Sequence, residues 1–141
     1  MSEVRQTITG EALAEVTRRL VQLHKEYYGK GPSRAKAYLV NDTVLCLLEG
    51  GFTMVERTLI ERGEADSVRN MRRSFQAAME HEFTQTIEDA LGRRVIAYMS
   101  QVHSNPDISA ELFVMEASGD IGANGDVEAL ALEHKVVAEP A

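Results

Sequence analysis

The sequence predicts an α+β protein of two layers, in which long helices cover one face of a four-stranded antiparallel sheet. Two pairs of short runs rich in strand-forming residues are each joined by turn residues, which predicts two β-hairpins. The segments before and between these pairs carry apolar residues at steps of three and four, as amphipathic helices do. The predicted order is α-β-β-α-α-β-β, and 141 residues suffice for one domain.

The first helix follows "TITG" and has a regular apolar stripe. The stripe consists of Leu13, Val16, Leu20, Leu23 and Tyr27. We expect the helix to end at Gly29, because glycine readily adopts the left-handed conformation of a C-terminal cap. Pro32 lies just beyond and favours an extended conformation at Gly31, so the chain leaves the helix in a defined direction.

The first hairpin is predicted from "AKAYLV" and "TVLCLL". Asn41 and Asp42 separate these runs, and both residue types tolerate the positive φ of a two-residue turn. The second run is apolar on both faces, which favours a central position in the sheet.

Two helices are predicted after this hairpin. Thr53 and Glu56 have the spacing of a capping box, so a short helix begins at Thr53 and ends near Gly63. A longer helix is expected from about Ala65 to Leu91, with Gly92 as its cap. Its apolar stripe consists of Val68, Met71, Phe75, Met79, Phe83, Ile87 and Leu91.

The second hairpin joins "RVIAYMSQVH" to "ISAELFVME" through the turn residues "SNPD". We expect residues 9–117 to form the domain, and the Gly- and Asp-rich acidic segment 118–141 to be a mobile tail. Strands that stay apolar on both faces favour a homodimer that buries the second face or an edge. The alternative is a monomer in which the first helix covers that face.

Charge and composition narrow the functional classes. A net charge of −7 and a pI near 5.1 oppose non-specific binding to nucleic acid or anionic lipid. The N-terminus does not resemble a secretory signal, and no apolar run reaches the length of a membrane span. The lone Cys46 cannot form an internal disulfide, which suits a reducing compartment. These features predict a cytoplasmic protein.

Three short motifs resemble known sites but are incomplete. "GKGPS" follows a helix and precedes a strand, whereas a phosphate-binding loop needs the reverse order. "HEFTQ" places Gln85 where a zinc-protease motif needs its second histidine. "DIGANGDVE" carries Gly122 at a calcium-ligand position. No metal and no cofactor is therefore predicted.

Two polar groups leave alternatives open. His103 and Asp107 flank the turn of the second hairpin and could pair or hold a metal weakly, but a structural turn is favoured. Arg69, Arg72 and Arg73 form a basic concentration on the long helix. It could bind an anion, an acidic partner or nucleic acid, although ion pairs on the helix surface are the more common use of such residues.

The stretch "YGKGPSRAKAYLVNDTVLCLLEGGFTMVERTL", followed by a long helix, "GRRVIAYMSQVHSNPD" and "ELFVME", resembles the MpsC-like family of small bacterial domains. The matching positions include Gly29, Gly31, Pro32, Gly51, Thr53, Glu56, Arg57 and Leu59. The likeness extends from about Glu11 to Glu116. Asn105 and Pro106 separate His103 from Asp107, which departs from the family pattern at the late turn.

The resemblance implies a connection to a sodium-linked membrane-potential-generating system associated with bicarbonate uptake, and it supplies no catalytic residues. We therefore predict a non-enzymatic accessory or regulatory module, homodimeric, whose partner is a membrane transporter subunit or another protein. The alternative is an enzyme or a domain that binds a small anion or nucleotide in a cleft near Gly29–Pro32 and Thr53–Arg57. The candidate ligand- or partner-binding residues are Gly29, Gly31, Pro32, Thr53, Glu56, Arg57, His103 and Asp107.

Overall fold

The computed structural model describes residues 7–117 and 135–138. The helices are α1 (Gly10–Tyr28), α2 (Met54–Glu61) and α3 (Ala65–Leu91), and the strands are β1 (Arg34–Val40), β2 (Thr43–Glu49), β3 (Val95–His103), β4 (Ile108–Met115) and β5 (Lys135–Ala138). The predicted order α-β-β-α-α-β-β is confirmed over α1 to β4, and so is the α+β class.

The strands form an antiparallel sheet in the order β3-β4-β2-β1-β5. The four strands predicted from the two hairpins are all present, and β2 is central as expected. Lys135–Ala138 adds a fifth strand beside β1, within the segment predicted to be a mobile tail. The other residues of that predicted tail, 118–134 and 139–141, lie outside the described residues.

Local stereochemistry sets the ends of the elements. The side chain of Thr9 accepts a hydrogen bond from the backbone N–H of Ala12 at 3.0 Å and so caps the start of α1. Gly29 has φ of 82° and donates its N–H to the carbonyl of Lys25, as predicted for the C-terminal cap. Asn41 has φ of 57° in the two-residue turn between β1 and β2.

The core lies between the sheet and the pair α1 and α3. Strand residues alternate, so Ala37, Cys46 and Phe113 point inward and are almost fully buried. Leu20 from α1 and Phe83 from α3 pack into the same cluster. Each such large side chain contributes about 1.5–3 kcal/mol through burial. Since α1 packs beside α3 on this face, the alternative that places the first helix on the opposite face is wrong.

The opposite face of the sheet is apolar in its middle. The register places Met99, Leu112, Leu45 and Tyr38 side by side across β3, β4, β2 and β1. Met99 is 53% exposed, and the other three side chains are partly buried. This face therefore keeps apolar surface that α1 and α3 do not cover.

Candidate functional site

Three loops meet at one end of the sheet, and we call residues 29–33, 50–53 and 104–107 the corner. The backbone N–H of Ser33 donates to the carbonyl of Glu49 at 2.8 Å. The N–H of Gly50 donates to the carbonyl of Asp107 at 3.1 Å, and the Asp107 carboxylate accepts from the N–H of Phe52 at 3.0 Å. The corner thus joins segments that are far apart in sequence.

Close packing explains two of the glycines of the corner, Gly31 and Gly50. Gly50 has φ of 72°, and a Cβ at that position would collide with the side-chain oxygen of Ser33. A Cβ on Gly31 would lie 3.2 Å from the carbonyl oxygen of Val21 in α1. Lys30 donates from Nζ to the carbonyl of Gly50. The glycine-rich segment "GKGPS" therefore packs closely against α1 and against the loop at Gly50.

The start of α2 carries the predicted capping box. Thr53 Oγ1 accepts from the N–H of Glu56 at 3.2 Å, and Glu56 Oε1 accepts from the N–H of Thr53 at 2.8 Å. The two residues satisfy backbone donors that a helix otherwise leaves unpaired. The carboxylate of Glu56 is thereby fixed at the edge of the corner.

Glu56 also forms a buried ion pair with Arg72 of α3. Arg72 Nε and Nη2 each donate to a different oxygen of this carboxylate at 2.6 Å, and Nη2 also donates to the carbonyl of Gly51 at 3.1 Å. The two side chains are only 4% and 3% exposed. Burial raises the pKa of Glu56, but the hydrogen bonds from Arg72 and Thr53 outweigh it, so the pKa lies below its usual value.

Aromatic rings enclose the guanidinium of Arg72. Its carbon Cζ lies 3.8 Å from the ring centre of Tyr28 and 5.3 Å from that of Phe52. This side chain was expected on the helix surface, and that expectation is wrong for Arg72. Arg69 does pair with Asp66 at the surface. One signal was present in the sequence: Arg72 lies four residues after Val68 and so falls on the apolar stripe.

An open apolar cleft lies beside the ion pair, between the end of α1, α2 and the first half of α3. Its volume is about 450 Å³. The lining residues are Tyr27, Tyr28, Thr53, Val55, Glu56, Leu59, Ser67, Val68, Met71 and Phe75. Val55, Tyr27 and Met71 are 69%, 49% and 45% exposed, and all three line this one cleft. The cleft therefore presents accessible hydrophobic surface.

Most of the residues predicted to bind a ligand or partner lie in the corner, but their polar side chains already form hydrogen bonds within the protein. Asp107 is bonded to the backbone of Phe52, and His103 lies with Nδ1 2.9 Å from the carbonyl oxygen of Pro106. The two side chains thus do not pair with each other, because each contacts a backbone group instead. Thr53 and Glu56 line the cleft. Arg57 is exposed, and its side chain makes no hydrogen bond or ion pair with the other described residues.

A second buried acid was not anticipated from the sequence. Glu111 of β4 is 1% exposed and accepts hydrogen bonds from the hydroxyls of Tyr98, at 2.6 Å, and Ser100. Burial raises the pKa of Glu111 despite these two donors. Cys46, its cross-strand partner, is also buried, and burial raises the pKa of the thiol. Cys46 is therefore a core residue rather than a reactive nucleophile.

Comparison with known proteins identifies the family. Within the described part of the chain, no helix is long and apolar enough to cross a membrane. No curated protein and no solved structure matches the sequence. A family model described as "Na+-translocating membrane potential-generating system (MpsC)" matches residues 9–117, which is most of the 141 residues. The chain therefore belongs to the MpsC family.

Proposed function

We propose that this protein is a non-enzymatic accessory or regulatory module of the cytoplasm that acts as a homodimer and binds a protein partner. The family description names a sodium-translocating membrane system, so the proposed partner is a membrane subunit of such a system. The link of that system to bicarbonate uptake is what the sequence resemblance implies. In this proposal the chain contributes a binding surface and the membrane subunit carries the ion.

The cleft beside the corner is the observation that carries this proposal. Catalysis needs polar groups that are free to meet a substrate, but Thr53, Glu56 and Asp107 are each engaged in bonds that hold the corner together. The surface beside them is apolar and open. When a partner docks on such a surface, the exclusion of water makes the binding free energy more favourable, and no chemical step is needed.

A helical segment of the partner fits this cleft best. Three helices border a groove whose lining includes three aromatic side chains and one methionine, residue types that are enriched at the centres of protein interfaces. An amphipathic helix places large apolar residues along one face and inserts them into such a groove. The volume of about 450 Å³ can receive side chains of this kind but offers few polar groups to orient a hydrophilic ligand.

A binding measurement tests the proposal with defined components. The chain would be mixed with the detergent-solubilised membrane subunit of the sodium-linked system, and the apparent affinity would be measured by biolayer interferometry. Met71→Lys places a charge in the cleft and should weaken binding at least about tenfold. The reason is that burying an unpaired charge in an apolar interface costs free energy, which offsets the favourable burial of apolar surface. Met54→Lys is the matched control, because Met54 is 73% exposed on α2 and does not line the cleft.

Two results would contradict the partner-binding proposal. One is the absence of binding by the wild-type chain at concentrations up to about 100 μM, since the binding free energy would then be weaker than about −5.5 kcal/mol. The other is an equal loss of affinity in Met71→Lys and Met54→Lys, which would mean that the cleft is not the contact surface.

The second candidate is a small-anion or nucleotide-binding domain, or an enzyme, at the same corner. The exposed Arg57 at the first turn of α2, next to a ligand-sized cleft, favours it. The capping box weighs against it, because Thr53 and Glu56 already occupy donors at that helix end. A thermal-shift screen with bicarbonate, phosphate and nucleotides should give stabilisation that Arg57→Ala removes. A flat screen would eliminate this candidate.

A further inference from the structure

β3 is a long strand at an open edge of the sheet. It spans nine residues, whereas β5 at the other edge spans four. In the described part of the chain β3 pairs only with β4, so its outer backbone N–H and C=O groups have no strand partner there. Short edge strands resist pairing with other chains, and long ones invite it. The β3 edge is therefore the more exposed to association.

The sequence of β3 lacks the devices that normally protect an edge. Between Val95 and His103 the residues "VIAYMSQVH" include no lysine, arginine, aspartate, glutamate or proline. A bulge at Ile96 interrupts the ladder near the start, but pairing with β4 is regular from Ala97 to His103. Ile96 and Met99 are 59% and 53% exposed. The regular part of this edge is thus uncharged and partly apolar.

We infer that two copies of this chain associate through their β3 strands, antiparallel, with the two-fold axis at Met99. The inference rests on the homodimer of the proposed function and names its interface. Antiparallel pairing of identical strands is self-complementary, as a two-fold axis requires. The sheets of the two protomers become one continuous sheet, and the free backbone groups of each β3 acquire partners.

The axis falls at Met99 because this is the large exposed apolar residue within the regular part of the strand. Each Met99 then packs against the other, and Ala97 of one protomer lies opposite the partner's Gln101. Each chain carries a net charge of −7, yet this pairing brings no like charges together. The apolar row Met99, Leu112 and Leu45 also continues across the axis from one protomer to the next.

Site-directed cross-linking tests the strand pairing directly. Residues on the axis of an antiparallel pair have Cβ atoms roughly 5 Å apart, so Met99→Cys should form an intermolecular disulfide under mild oxidation. Two copies of Gln101→Cys lie about 14 Å apart in the same arrangement, at about 3.4 Å per residue, and should not cross-link. Leu45→Cys at the middle of the sheet face tests face-to-face packing. The wild-type chain is the background control, since its Cys46 is buried.

Sedimentation velocity gives a second measurement of the interface. We expect the wild-type chain to sediment as a dimer of two 15.6 kDa protomers. Met99→Lys places two like charges on the axis and should raise the dimer dissociation constant at least about tenfold. Met54→Lys makes the same substitution at an exposed helix position and should leave the dimer unchanged. The exposure of Met99 allows the monomer to tolerate the lysine.

The possible outcomes separate the interface from the rest of the proposal. A wild-type chain that is monomeric at about 100 μM would overturn the homodimer and the inference together, since its association free energy would be weaker than about −5.5 kcal/mol. A dimer that cross-links through Leu45→Cys or Gln101→Cys but not through Met99→Cys would overturn the inference and leave the homodimer standing. Binding of the membrane subunit is measured separately, so its failure would contradict the accessory role without touching the dimer interface.

Discussion

The buried pair of Arg72 and Glu56 yields a sharp prediction about stability. Arg72→Met keeps the apolar stem but removes the charge, so Glu56 would stay buried with the N–H of Thr53 as its remaining donor. Breaking a buried pair by removing one partner costs about 3–5 kcal/mol. Loss of the contact between Arg72 and the Tyr28 ring adds about 0.5–2 kcal/mol to this cost. We therefore expect the total loss of stability in Arg72→Met to lie in the upper part of the range of about 3–5 kcal/mol.

A double-mutant cycle can isolate the interaction. Glu56→Gln retains a capping-box residue at the third helical position and removes the charge that Arg72→Met leaves unpaired. The double variant should therefore lose less stability than the sum of the single variants, by at least about 1 kcal/mol. Urea unfolding followed by far-ultraviolet circular dichroism suits a chain without tryptophan.

An exposed pair on the same helix provides the control. Arg69 and Asp66 form an ion pair in which the side chains are 36% and 86% exposed, so Arg69→Met should change stability by less than about 0.5 kcal/mol. If Arg72→Met also cost less than about 1 kcal/mol, the pair would behave like a surface contact and the reasoning would be refuted. Strict additivity in the cycle would refute it as well.

Two further predictions concern the core and the corner. Burial raises the pKa of Glu111 above its usual 4.5. Above pH 4.5 the carboxyl group therefore holds its proton more strongly in the folded state than in the unfolded state. The free energy of unfolding should fall as the pH rises from about 4.5 through the folded-state pKa of Glu111. Glu111→Gln should flatten that part of the pH profile in urea melts, and an unchanged profile would contradict the assignment. Gly50→Ala should cost more than about 1 kcal/mol, because φ is positive and Ser33 fills the space. Gly51→Ala, whose Cβ would lie 3.9 Å from Pro32, should be tolerated in the same assay, and equal losses would show that the packing argument is wrong.

The corner was only partly foreseeable from the sequence. Gly29, Thr53 and Glu56 were recognised because their roles are local: a left-handed cap and a capping box depend on residues within four positions of one another. The sequence favours a surface ion pair for Arg72, but this residue lies on the apolar stripe of α3 and is buried in the structure. A cleft near Thr53–Arg57 belongs to the alternative hypothesis from the sequence, but its apolar lining from α1 and α3 is not predicted, because it arises where three helices meet.

The sequence alone determined the helices, the two hairpins and the α+β class. These features could be predicted because hydrophobic periodicity, helix caps and turns depend on residues that are close together in the chain. The tertiary structure decided what required distant segments to meet. Phe52 and Asp107 are 55 positions apart, and β5 joins β1 from beyond the predicted domain. Such contacts depend on how loops close and layers pack, which no pattern of neighbouring residues encodes. Among the described residues, the same packing left β3 without a strand partner on its outer side and formed the cleft beside the corner.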